Sequence, residues 1–180
     1  MIFFGILVAG LFLSLVAQEF IQPLAWLYGA RVLIMPIIMF YGALALPYWG
    51  MLALAFLGGL MWDAVTVPVV DSTVEISLGW SILLYATLGA IMSGFRPLFQ
   101  RGRWEIHCLM SGLFTSVIVL AEYLMITIRR GGLIFPTEVW WRVGGAGVIA
   151  ALLSPFFFFT LNWLAPYVGY EIKPEQKGIL

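Results

Sequence analysis

The stretch Arg31–Asp63, RVLIMPIIMFYGALALPYWGMLALAFLGGLMWD, has 31 residues between its two end charges and no further Asp, Glu, Lys or Arg among them. Midway, Pro47-Tyr48-Trp49-Gly50 groups a helix-breaking proline with a glycine. Each half is about 18 residues long, and at a rise of about 1.5 Å per residue either half as a helix just crosses a hydrocarbon core of about 30 Å. The stretch predicts a membrane hairpin with Pro47 and Gly50 at its turn.

The rest of the chain agrees. Hydrophobic residues make up 63% of the 180 and charged residues 10%, with a mean hydropathy of +1.03, which leaves too little polar surface to clothe a water-soluble globule. Apolar blocks predict six spans: 1–17, 30–47, 50–68, 77–95, 105–128 and 143–164. These form one polytopic membrane domain over 1–168, followed by a polar tail over 169–180. Lipid-facing backbone must satisfy its own hydrogen bonds, and period-2 alternation is missing, so the fold class is an all-α integral membrane protein. The short first span also has the length of a signal peptide, but no Lys or Arg precedes it, and a retained helix is expected.

Lys and Arg between the spans set the expected orientation. Arg96, Arg101, Arg103, Lys173 and Lys177 fall on one side, and Arg31, Arg129, Arg130 and Arg142 on the other. The majority places both termini in the cytoplasm and the acidic loop Val70–Glu75 outside. Net charge is zero, and no basic run suggests nucleic acid or an anionic lipid surface.

Folding the hairpin at its turn brings Arg31 and Asp63 each to roughly 21–26 Å from the turn, near the same membrane face. Glu122 and Arg142 reach that face too if the spans alternate. Charges in the apolar zone cost roughly 2.5–3.5 kcal/mol on insertion scales, so they pair, line a wet cavity or snorkel outward. Two readings stay open: a polar chamber or docking surface, or two bridges that hold helices in register beside a snorkelling Arg.

Other residues point away from catalysis and metals. His107 and Ser111 stand four apart on one helix face but lack an oxyanion site, so core packing is expected. A single histidine excludes a histidine-rich metal site, and Asp63 and Asp71, separated by Pro68, do not make the repeated-aspartate pattern of a magnesium site. Cys108 reads as a buried thiol. Gly58, Gly59, Gly144 and Gly147 are expected at close helix contacts. Trp26, Tyr28, Tyr48, Trp49, Trp62, Trp104, Trp140, Trp141, Trp163 and Tyr167 gather near span ends as an interfacial belt. Residues 18–30 suit a short surface helix or an irregular loop.

The order Arg31, Pro36, Tyr41-Gly42-Ala43-Leu44-Ala45, Pro47, Gly50, Ala55-Phe56-Leu57-Gly58-Gly59-Leu60 and Asp63, followed by Leu78-Gly79, resembles MreD, the rod shape-determining membrane protein family. The run AFLGGLMWD is the centre of the resemblance, which covers spans two to four. The late Ser154-Pro155 also agrees, whereas Arg31-Val32 stands where the family tends to have Arg-Pro.

The resemblance implies a non-enzymatic subunit of the bacterial cell-elongation (rod) complex in the inner membrane, with no cofactor, that supports lateral peptidoglycan synthesis. Its implied partners are MreC and, within a larger complex, MreB, RodA and a class B penicillin-binding protein. It further implies a fold similar to the substrate-binding subunit of energy-coupling-factor vitamin transporters, and that transporter role is the alternative function. In the first role Phe56, Gly59 and Asp63 would line a groove for MreC. In the second, Arg31, Asp63, Glu122 and Arg142 would line a ligand pocket.

Overall fold

A computed structural model describes residues 2–66, 69–70, 73–74, 79–96, 104–132 and 135–170. The expectations for Asp71, Arg101, Arg103, Lys173, Lys177 and the tail beyond 170 lie outside the described residues.

Six α-helices run among the described residues: α1 (Ile2–Phe20), α2 (Met35–Ala45), α3 (Tyr48–Thr66), α4 (Trp80–Gly94), α5 (Trp104–Arg129) and α6 (Thr137–Tyr167). A 3₁₀ turn, Ala25–Leu27, follows α1. A two-residue antiparallel ladder, β1 (Val69–Val70) with β2 (Thr73–Val74), lies between α3 and α4. Four helices, α1, α3, α5 and α6, are long and apolar enough to cross a membrane, and the protein is a membrane protein on that ground.

The two short helices change the hairpin. At 11 residues α2 is about 16 Å long, and at 15 residues α4 is about 22 Å, so neither reaches across a 30 Å core by itself. Residues 30–34, expected inside span two, are not helical. Backbone of that kind is tolerated at membrane depth only where protein or water satisfies it. Ala30 and Leu33 are buried accordingly, and the Ala30 carbonyl accepts from the Leu24 amide at 3.0 Å.

Every residue of α2 from Met35 to Ala43 is buried, and the helix touches all five others. It is therefore the core of the bundle. Its apolar all-round composition suited a lipid-crossing helix equally well, because Leu, Ile, Met and Phe fill a protein interior as readily as they face lipid.

The turn is tighter than expected. Leu46 is extended (φ −85°, ψ 152°), as a residue before proline prefers, and the Pro47 carbonyl already accepts from the Met51 amide at 2.9 Å. Tyr48, Trp49 and Gly50 thus belong to the first turn of α3. Pro47 makes the turn and Gly50 does not.

The largest contact of α3 is with α4, and that of α5 is with α6. A Cβ at Gly59 would stand 2.5 Å from the Ile82 backbone, so only glycine lets α3 and α4 approach this closely. Gly112 and Gly147 do the same for α5 and α6, where a Cβ on Gly112 would meet the Gly147 carbonyl at 2.6 Å. Gly58 packs on Met35 and Met39 as expected. Gly144 does not pack: a Cβ there meets nothing, because the helix turns that position outward.

The chain alternates in direction. At one end Phe3 stacks on Tyr170 (centroids 4.3 Å), Tyr41 donates to Asn162 Oδ1 (2.8 Å) and Arg96 donates to the Ala43 carbonyl (2.9 and 3.2 Å). At the other end lie the Asp63 and Arg142 contacts described below. The described ends of the chain, at α1 and after α6, share the first end. α1 is packed into the bundle through Phe3, Leu7, Leu11 and Leu15.

Candidate functional site

Asp63 sits one turn from the end of α3, is 3% exposed, and its Oδ2 accepts from the Gly79 amide at 2.6 Å. Gly79 is the N-cap of α4, with φ +100°. The first amides of a helix lack intrahelical partners and lie at its positive end, so a carboxylate there is favoured by hydrogen bonding and by the helix dipole. The bond holds the start of α4 against the end of α3. Spacing from the turn indicated Arg31 as the partner of Asp63, but among the described residues the pair forms no salt bridge.

Glu122, on α5, lies near Trp62 and interacts electrostatically with both Asp63 and Arg31. Its Oε1 is sealed from solvent and has no hydrogen-bond partner. Trp62 is 6% exposed, which removes it from the interfacial belt: it belongs to the buried face of α3 with Ala55, Gly58 and Gly59. The other belt residues named from the sequence are exposed.

Tyr85 completes this polar layer. It is fully buried on α4, interacts with Glu122 and Asp63, and its hydroxyl has no partner. It was not among the residues singled out from the sequence. A tyrosine in the middle of a span, away from the interfaces where its hydroxyl is easily hydrated, was the available signal.

Arg142 lies elsewhere. Its Nε donates to the Tyr28 carbonyl at 2.8 Å, and Trp141 stacks on Tyr28 at 6.1 Å. Tyr28 is left-handed (φ 51°), so the arginine pins a strained turn of 25–30 to the start of α6. The structure therefore brings Arg31, Asp63 and Glu122 together and separates Arg142 from them.

A cleft of about 160 Å³ opens beside this layer, lined by residues that include Gln18, Glu19, Gln22, Arg31, Trp62 and Thr66. Small-molecule pockets usually measure about 300–1,000 Å³, so a vitamin-sized ligand does not fit this cleft. Of the four residues expected to line a ligand pocket, Arg31 alone lines it.

The expected MreC groove is also divided. Gly59 is closed against α4 and Asp63 is occupied, whereas Phe56 is 53% exposed. Phe56 belongs to an outward stripe of α3 with Ala53, Leu60 and Ala64.

His107 serves packing. Its Nδ1 is 3.2 Å from Ser154 Oγ, and its ring lies against Phe158 and Phe40 at 4.5 and 4.9 Å. Ser111 is buried, and its hydroxyl has no partner. Cys108 is half-buried rather than buried, because it lies at the edge of the α5 face that carries His107. Among the described residues, no group of three or more His, Cys, Asp or Glu could hold a metal.

Together these features define a multi-pass α-helical membrane protein with a polar layer near one end of its bundle. No known protein family, curated protein or solved structure matches the chain.

Proposed function

We propose that this chain is an MreD-type, non-enzymatic subunit of the bacterial cell-elongation complex, seated in the inner membrane with both termini cytoplasmic. In this reading it binds MreC, and through the larger complex it works with MreB, RodA and a class B penicillin-binding protein in lateral peptidoglycan synthesis. The observation that carries the proposal is the joint placement of the motif residues. Gly59, Asp63 and Gly79, all part of the resemblance, meet at one lock between α3 and α4.

The lock leaves the stripe Ala53, Phe56, Leu60 and Ala64 outward, and this stripe is the proposed MreC surface. Small residues alternating with larger apolar ones let a partner helix approach closely in lipid. Affinity purification from mildly solubilised native membranes tests the reading. Recovery of MreC, and its loss in a Phe56→Ala, Leu60→Ala double variant that still folds, is the expected result. Recovery of paired ATPases with a transporter scaffold in place of MreC would overturn it.

A further inference from the structure

The helices pack as two pairs that both rest on α2. α3 and α4 make their largest contacts with each other, as do α5 and α6, and each of the four also touches α2. Among the described residues neither α3 nor α4 makes a comparable contact with α5 or α6. Glycine holds each pair close, at Gly59 against Ile82 and at Gly112 against Gly147. A seam therefore separates the pairs, bridged by α2. Its two ends differ. At the Ala45 end of α2, Tyr41 donates to Asn162 Oδ1 of α6 (2.8 Å), the Tyr170 hydroxyl donates to the Ala45 carbonyl (2.8 Å), and Arg96, just past α4, donates to the Ala43 carbonyl (2.9 and 3.2 Å). Phe40 also packs there on His107 and Phe114 of α5, at 4.9 and 5.6 Å. At the Asp63 end α5 has no such seat. Every residue from Val119 to Ile126 is half-buried, whereas His107, Ser111, Phe114, Thr115 and Ile118 form a buried face nearer the other end. The polar layer crosses the seam here, with Glu122 on α5 interacting with Asp63 on α3 and Tyr85 on α4. Trp80 Nε1, the Tyr85 hydroxyl and Glu122 Oε1 are sealed from solvent and have no hydrogen-bond partner. A polar atom sealed in this way is penalised relative to the same atom in water, so closure is opposed where the seam is polar and favoured where it is bonded.

We infer that the two helix pairs hinge at the Ala45 end of α2 and part at the Asp63 end, and that the structure is the closed state of this movement. Opening admits water to Trp80, Tyr85 and Glu122 and satisfies groups that closure leaves unpaired. Asp63 lies one turn, and Glu122 two turns, from the ends of their helices, so water has only a short way to enter. The two states then differ in free energy through these groups, as a shift of population requires. The Asp63–Gly79 bond and the glycine contacts survive, because the movement runs between the pairs and not within them. Arg142 does not oppose it: the bond to Tyr28 ties α6 to a non-helical connection and not to α3 or α4. The inference goes beyond MreC binding and holds whether or not MreC is the partner.

The test uses the full chain in lipid nanodiscs, with Cys108→Ser removing its single thiol, and measures distances between pairs of spin labels by pulsed electron resonance. Val65→Cys with Ile128→Cys reports the Asp63 end, and Trp49→Cys with Leu109→Cys the Ala45 end. All four side chains are exposed, so the labels leave the core intact. The Val65–Ile128 pair should show a shorter and a longer distance, and the Trp49–Leu109 pair a single one. Tyr85→Phe removes an unpaired hydroxyl from the closed state and should lower the ratio of longer to shorter distance by about fivefold or more. A single Val65–Ile128 distance with Tyr85 in place, or equal movement at both ends, overturns the inference. An unchanged ratio in Tyr85→Phe overturns it too, since the polar layer would then not oppose closure. The comparison of the two ends stands even if that variant fails to fold.

Discussion

Asp63 closes the junction between α3 and the N-cap of α4. In the structure its Oδ2 holds the Gly79 amide at 2.6 Å. This makes a specific prediction about substitution. Asp63→Leu leaves that amide without its acceptor and should cost about 1–3 kcal/mol, whereas Asp63→Asn keeps an acceptor and should cost clearly less. Denaturation of the two variants in the same micelle checks the order, and equal losses would show that the bond contributes nothing. Glycine offers a second contrast. Gly59→Ala should cost about 1–3 kcal/mol by forcing the Ile82 backbone away. Gly144→Ala, with open space around it, should stay within about 1 kcal/mol of the unmodified chain and lean toward stability. Thermal midpoints of the two should separate clearly.

Among the elements, α2 depends most on the others. It is short, buried and enclosed, and two of its last carbonyls are served from outside: Ala43 by Arg96 and Ala45 by the Tyr170 hydroxyl at 2.8 Å. The last four carbonyls of any helix lack intrahelical donors, and in an apolar bundle water cannot easily reach them. Tyr170→Phe keeps the stacking on Phe3 and removes the donor, so a loss of about 0.5–1.5 kcal/mol is expected. The same bond gives a pH dependence. Burial raises the Tyr170 phenol above its ordinary value of 10, with Arg96 opposing the effect. Because the folded value lies above the unfolded one, this contribution is complete below pH 10 and fades as pH rises through the folded value. Alkaline titration of stability should show that loss, and Tyr170→Phe should remove this component. An unchanged alkaline limb in the variant would exclude Tyr170 as its source.

For the whole molecule, alternation of the chain is the main consequence. The start of α1 and the end of α6 share one end of the bundle, while Gly131, after α5, lies at the other. Reporters fused at the N- and C-termini should therefore face the same side of the membrane, and a reporter inserted at Gly131 the opposite side. A Gly131 reporter on the N-terminal side with the C-terminal reporter opposite would mean that α2 or α4, each shorter than the bilayer core, does not complete a crossing. The polar layer of Asp63, Tyr85 and Glu122 belongs to this scale too, since it draws on α3, α4 and α5 together.

Composition and hydropathy by themselves determined that this chain is a helical membrane protein and where the six helices of the described residues lie, though not that α2 and α4 are too short to span a bilayer. Those properties depend on the free energy of moving each segment from water to lipid, which is local and additive along the sequence. Close packing at Gly59 and a break at Pro47 were legible for the same reason, since each states what its own backbone permits. The tertiary structure alone decided that α2 is enclosed, that Trp62 turns inward, that Asp63 caps α4, and that Arg142 pins the 25–30 turn. Each of these depends on which helix stands beside which. A lipid-facing surface and a protein-facing one are equally apolar, so hydropathy carries no record of that choice.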